Sequence, residues 1–215
     1  MLEIPDWSKI VSNVRKLLQD NPEFRENSMV LMRKYKDKRG LMIVDCVASR
    51  RRKYNEYVIP KLLPMYIEKA RDLSISALAE EAPTWMPLMQ EEPATMQEVA
   101  TKLLDYGLRN QLQDENEICK HWANNPPAHQ EILDIKGIGP ALLQYLRMLS
   151  GANSIKIDVQ VTNQLNQLGV PVEWFTPDGL LKVCESLAKE AECTLIELDQ
   201  LLWHAATKTS SNSNI

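Results

Sequence analysis

At 215 residues, 44% hydrophobic and 25% charged, the chain has the makeup of an ordinary globular protein, sized for one domain or two small lobes. Only seven glycines and two phenylalanines, beside many Leu, Ala, Glu, Gln and Lys, favour an all-α chain over a β fold. The net charge of −4 argues against a protein that coats DNA electrostatically, and no apolar run approaches the roughly 18 residues of a membrane span.

The N-terminus, MLEIPDWSKI, lacks the pattern of a signal peptide, and Cys46, Cys119, Cys184 and Cys193 are too scattered for a disulfide framework. A soluble intracellular protein with reduced thiols is expected, in the cytoplasm or nucleoid if prokaryotic. Charge is unevenly spread. Arg33, Lys34, Lys36, Lys38, Arg39, Arg50, Arg51, Arg52 and Lys53 fall between 33 and 53 against only Asp37 and Asp45, while acids gather in 80–117 and 185–199. One basic region on an acidic body suits a protein that meets nucleic acid on a single face.

In chain order, Trp7, Ile10, Val11, Val14, Leu17 and Leu18 form the stripe of an amphipathic helix over 6–19, with Asp6 as its N-cap and Asn21-Pro22 as its end. A polar connection then leads to Ser28–Met32 and a basic loop closed by Gly40. Leu41–Val47 is nearly all apolar, which predicts a helix buried on most of its surface, running into Ser49-Arg50-Arg51-Arg52-Lys53. Helix continues over 57–69 around Pro60 and Pro64, with short helices at 74–81 and 84–88 and longer ones at 95–110 and 110–122. Asn124-Asn125-Pro126-Pro127 punctuates the chain before its most informative stretch. Two more amphipathic helices follow at 180–191 and 193–206, and residues 208–215 read as a disordered polar tail.

The informative stretch is EILDIKGIGPALLQYLRMLSGANSIKIDVQVTNQLNQLGV, residues 131–170. At Lys136-Gly137-Ile138-Gly139-Pro140 two glycines one residue apart permit a turn too tight for side chains, and Pro140 is preset for the first turn of a helix. Helix, tight turn, helix leaves backbone N–H groups pointing outward at a positive helix end, a cradle for one phosphate.

The apolar-flanked Leu133-x-Ile135-x-Gly137-Ile138-Gly139-Pro140 resembles the DNA-binding hairpin of the helix-hairpin-helix DNA glycosylase superfamily, the relatives of endonuclease III. Ile157-Asp158-Val159-Gln160-Val161 followed by Asn166-Gln167-Leu168-Gly169 is similar to the family's segment that carries its catalytic aspartate. The resemblance implies an all-α fold of two helical lobes, with the hairpin between them and the cleft. Lobe A would cover about 26–127, and lobe B about 1–25 with 128–207. It makes Asp158 the catalytic candidate, though an aspartate before a helix is also a common N-cap. It assigns Lys136, Gly137, Ile138 and Gly139 to DNA, together with Ser49, Arg50, Arg51, Arg52 and Lys53, where the family's buried helix ends in Ser-x-Gln-x-Thr. Arg51 replaces that glutamine.

Bifunctional members carry a lysine shortly after the second hairpin glycine, where this chain has Ala141; this implies a monofunctional enzyme that leaves the strand intact. No iron–sulfur cluster, metal or other cofactor is expected, because the family's four closely spaced cysteines are missing and Cys119-x-His121 is too small for zinc. Tyr54, Trp85, Trp122 and Tyr145 are candidates to line a flipped-base pocket. Gln160 stands for the family's histidine, and Thr162, Asn163 and Gln167 for its phosphate-holding arginines. The first expectation is therefore a monomeric DNA base-excision glycosylase acting on double-stranded DNA. The alternatives are a catalytically inactive DNA-binding protein on the same fold and a helical protein-interaction module.

Overall fold

In the computed structural model, residues 4–212 are described, with side chains through Ala205. Among them every regular element is a helix: twelve α-helices, two 3-10 turns and one π-helical segment. The described residues divide into two compact units, one formed by 4–31 with 153–212 and the other by 32–152. The hairpin therefore belongs with the middle of the chain, whereas the sequence reading grouped it with the terminal helices.

The first unit contains α1 (Trp7–Asp20), most of α2 (Glu23–Arg33), α10 (Val159–Gln167), α11 (Pro177–Glu190) and α12 (Leu195–Asn212). Ile10, Val11, Val14 and Leu18 of α1 share one core with Val161 and Leu165 of α10, Leu180, Val183 and Leu187 of α11, and Leu198, Leu201 and Leu202 of α12. The apolar stripes of the sequence are thus the buried faces of these helices. Asp6 sits at the start of α1 in a left-handed conformation (φ 55°) and makes no side-chain cap. Helix α2 begins at Glu23, so the supposed connection before Ser28 is helical. Helix α12 runs on to Asn212 and takes in most of the tail read as disordered; 213–215 lie outside the described residues.

The second unit is built around α3 (Arg39–Ala48), all of whose residues are buried. Gly40 allows this: a Cβ there would stand 2.2 Å from the Ser74 carbonyl oxygen, and its N–H donates to Leu73 O at 2.7 Å. After a short break the chain forms a π-helix over Tyr54–Leu62, widened where Pro60 has no N–H to donate, and then α4 (Leu63–Lys69). Helix α5 (Ile75–Glu80), capped by Ser74, and α6 (Glu92–Arg109) pack beside α3. Thr84–Leu88, expected to be helical, is a series of bends between prolines. Helices α7 (Glu115–Ala123), α8 (Gln130–Leu133) and α9 (Pro140–Leu149) complete the unit, with a 3-10 turn at Pro126–Ala128.

Candidate nucleic-acid interface

Helices α8 and α9 enclose the predicted hairpin. Ile135 and Ile138 bury their side chains, and Ile138 N–H closes the turn on Ile135 O at 3.0 Å. Gly137 has φ +97°, a conformation that side chains rarely adopt, and a Cβ on it would reach 2.5 Å from Arg50 Nη1. Gly139 differs. Its φ of −107° suits any residue, and nothing lies within 4 Å of where its Cβ would be. No hydrogen bond among the described residues uses the N–H of Gly139 or of Ala141 and Leu142, which open α9. These donors sit at the positive end of a ten-residue helix.

The turn is pinned from within the protein. Thr95 Oγ1 donates to Lys136 O at 2.9 Å, and Arg50 Nη1 donates to Gly137 O at 3.2 Å. Arg50 also reaches Glu91 at 3.0 Å and Glu92 at 3.6 Å. Arg52 meets Glu92 through two bonds, 2.9 and 2.7 Å, and donates to Ala48 O at 3.1 Å. Glu92 is fully buried at the start of α6, where it also accepts Met89 N–H at 3.0 Å. Ser49 is buried and donates to Cys46 O at 2.7 Å.

The basic run at 50–53 is thus not one outward patch. Arg50, Arg52 and Ser49 serve the interior, and Arg51 and Lys53 carry the exposed charge of the run; Lys136 is exposed as well. Arg39, counted in the same region, is also buried and tied to Asn116 at 2.9 Å and to Leu149 O at 3.1 Å. Two residues apart, inward and outward sides alternate because the chain is non-helical here, with Arg51 at φ +54°.

In the first unit, Asp158 is the N-cap of α10. Its Oδ1 accepts from Gln160 N–H at 3.0 Å and Val161 N–H at 3.2 Å, while Oδ2 lies 3.7 Å from Lys156 Nζ. The side chain keeps 27% of its surface exposed. The residue that sequence reasoning passed over here is Asp199 of α12. It is buried and accepts Lys156 N–H at 2.8 Å and Gln200 Nε2 at 3.4 Å. Burial, helped by the charge of Asp158, pushes its carboxyl up to about 7 against the opposing effect of the Lys156 bond.

The four aromatic candidates for a base pocket separate. Tyr54 and Tyr145 place their hydroxyls 3.1 Å apart; Trp85 stacks on Tyr66 and Trp122 lies buried against His129. Burial raises the thiols of Cys119 and Cys184 to about 12, which keeps them protonated. Among the described residues no helix is long and apolar enough to cross a membrane, and no cluster of His, Cys, Asp and Glu is placed to hold a metal ion. No family model, curated protein or solved structure matches the chain.

Proposed function

We propose that the protein is a monofunctional DNA base-excision glycosylase, holding a backbone phosphate at Gly137–Gly139 and using Asp158 at the sugar. The observation that carries the reading is the asymmetry of the two hairpin glycines. Gly137 is accounted for by its positive φ and by Arg50; Gly139 meets no such demand inside the chain, yet it leaves bare backbone and unpaired N–H groups at the head of α9. Backbone that must admit something from outside explains a glycine that the fold does not require. Exposed Arg51, Lys53 and Lys136 supply cations for neighbouring phosphates.

Breaking the bond between base and deoxyribose builds positive charge on the sugar. The Oδ2 of Asp158, left over from the capping bonds, is the carboxylate oxygen available to stabilise that charge and to accept a proton from the attacking water. With Ala141 on α9 no amine stands at the position from which relatives form a Schiff base, so hydrolysis leaves an abasic site in an intact strand. One observation favours the second reading, a DNA-binding protein without catalysis. Asp158 already has a structural task as N-cap and a cation beside it.

The test is base release from duplexes that each carry one lesion, a mismatch or uracil, with wild type and Asp158→Asn. Release that needs alkali to reveal a nick and disappears in the variant supports the glycosylase. Binding without release supports the silent reading, and nicking without alkali removes the argument from Ala141.

A further inference from the structure

The Lys156 ammonium beside Asp158 is the feature that weighs against catalysis, and Asp199 bears on it directly. The segment that leads into Asp158 is strapped to α12 at two points. Asn153 Oδ1 accepts the N–H groups of Leu195 and Ile196 at 2.8 and 3.4 Å. Asp199, one turn further along the helix, accepts Lys156 N–H at 2.8 Å. Lys156 in turn holds its Nζ 3.7 Å from Asp158 Oδ2. One lysine thus stands between two carboxylates, Asp199 at its backbone and Asp158 at its ammonium. Beyond the effect of burial, the charges of both Lys156 and Asp158 reach the Asp199 carboxyl.

Holding a backbone N–H requires only an acceptor, and an amide or a hydroxyl would serve without a buried ionisation. Asp199 is nonetheless an acid with 4% of its surface exposed. Its remaining neighbours give that charge no use. Helix α10 brings no titratable residue, burial keeps the Cys184 thiol of α11 protonated, and Gln200 is neutral. A carboxylate kept where it weakens the fold, next to a candidate catalytic group, serves something other than the fold.

We propose that Asp199 is a positioning residue of the same site, whose carboxylate offsets the Lys156 ammonium and so releases the charge of Asp158 to act at the sugar. The inference rests on the glycosylase reading. With Asp199 protonated, Asp158 and Lys156 cancel, and the cluster presents no net charge to the sugar. Once Asp199 gives its proton to solvent, two carboxylates face one ammonium and one net negative charge remains to stabilise the cationic sugar. The site therefore gains strength as the pH rises through about 7, the range in which Asp199 ionises. The fold loses stability over the same interval.

The test compares the affinity of the full chain for two duplexes between about pH 5 and about pH 8. One carries a pyrrolidine in place of a single deoxyribose, a cation that imitates the charged sugar; the other carries a neutral tetrahydrofuran ring. The ratio of the two affinities cancels phosphate contacts common to both. In wild type the preference for the cationic ring should rise by about tenfold across this range. Asp199→Asn, which keeps the acceptor for Lys156 N–H, should hold the acid-side preference at every pH. Adding Lys156→Met to Asp199→Asn should restore the alkaline preference at every pH, because Asp158 then acts with no ammonium beside it. A residue that only held the segment in place gives no such rescue. A wild-type preference that ignores pH, or a double variant that stays at the level of Asp199→Asn, overturns the role of Asp199 and leaves the glycosylase reading standing. No preference for the cationic ring in any of the proteins removes Asp158 from the sugar, and both readings fall with it.

Discussion

Asp199→Asn isolates a buried ionisation that the fold tolerates at a cost. The carboxyl titrates near 7 in the folded chain, against an ordinary value of 3.8. Its protonated form is therefore favoured by folding, and the stability it contributes is complete below about pH 4 and lost as the pH rises through about 7. Each pH unit between these values is worth about 1.4 kcal/mol, so the wild type carries a penalty of roughly 4 kcal/mol at alkaline pH, an upper bound after local relaxation. Asparagine keeps an acceptor for the Lys156 N–H and cannot ionise. Urea denaturation of both proteins across this pH range should show equal stability at the acid end. The variant should gain progressively toward neutrality and hold a constant advantage above it. A difference that stays flat with pH, or an advantage for the wild type at alkaline pH, refutes the argument.

Two further predictions concern the arginines. Arg52→Ala leaves fully buried Glu92 without its two-bond partner and should cost about 3–5 kcal/mol in chemical denaturation, while replacing Arg52 and Glu92 together by methionine should restore most of the loss. Arg51→Ala with Lys53→Ala should leave the unfolding midpoint within error, because both side chains are exposed, and should lower the salt dependence of duplex binding by about 0.9 for each phosphate contact removed.

The elements legible in the sequence were those written in local chemistry. Gly137 and Pro140 mark a turn by backbone demands alone, and the apolar stripe of α1 marks its buried face within one helix. What the sequence hid is decided by partners far along the chain. Arg50, Arg51, Arg52 and Lys53 look alike as a run of charge. Glu91 and Glu92, about forty residues on, neutralise the first and third and leave the other two outside. Asp45 drew notice only as an acid in a basic stretch, since Tyr35, Tyr54 and Tyr145 meet it only in the folded unit. The tail was misread because its serines and asparagines suit solvent, yet α12 carries through to Asn212.

The proposed grip of the hairpin on phosphate is tested most directly by duplex affinity for wild type and Gly139→Ala across a range of salt. With open space where the new methyl would stand and an unstrained φ, the variant should keep its stability to within about 1 kcal/mol. A phosphate drawn to the unpaired N–H groups that open α9 would approach across this bare backbone, so the added methyl should lower affinity by about tenfold or more. Duplex binding by Gly139→Ala equal to that of wild type, in a fully folded protein, would contradict the account.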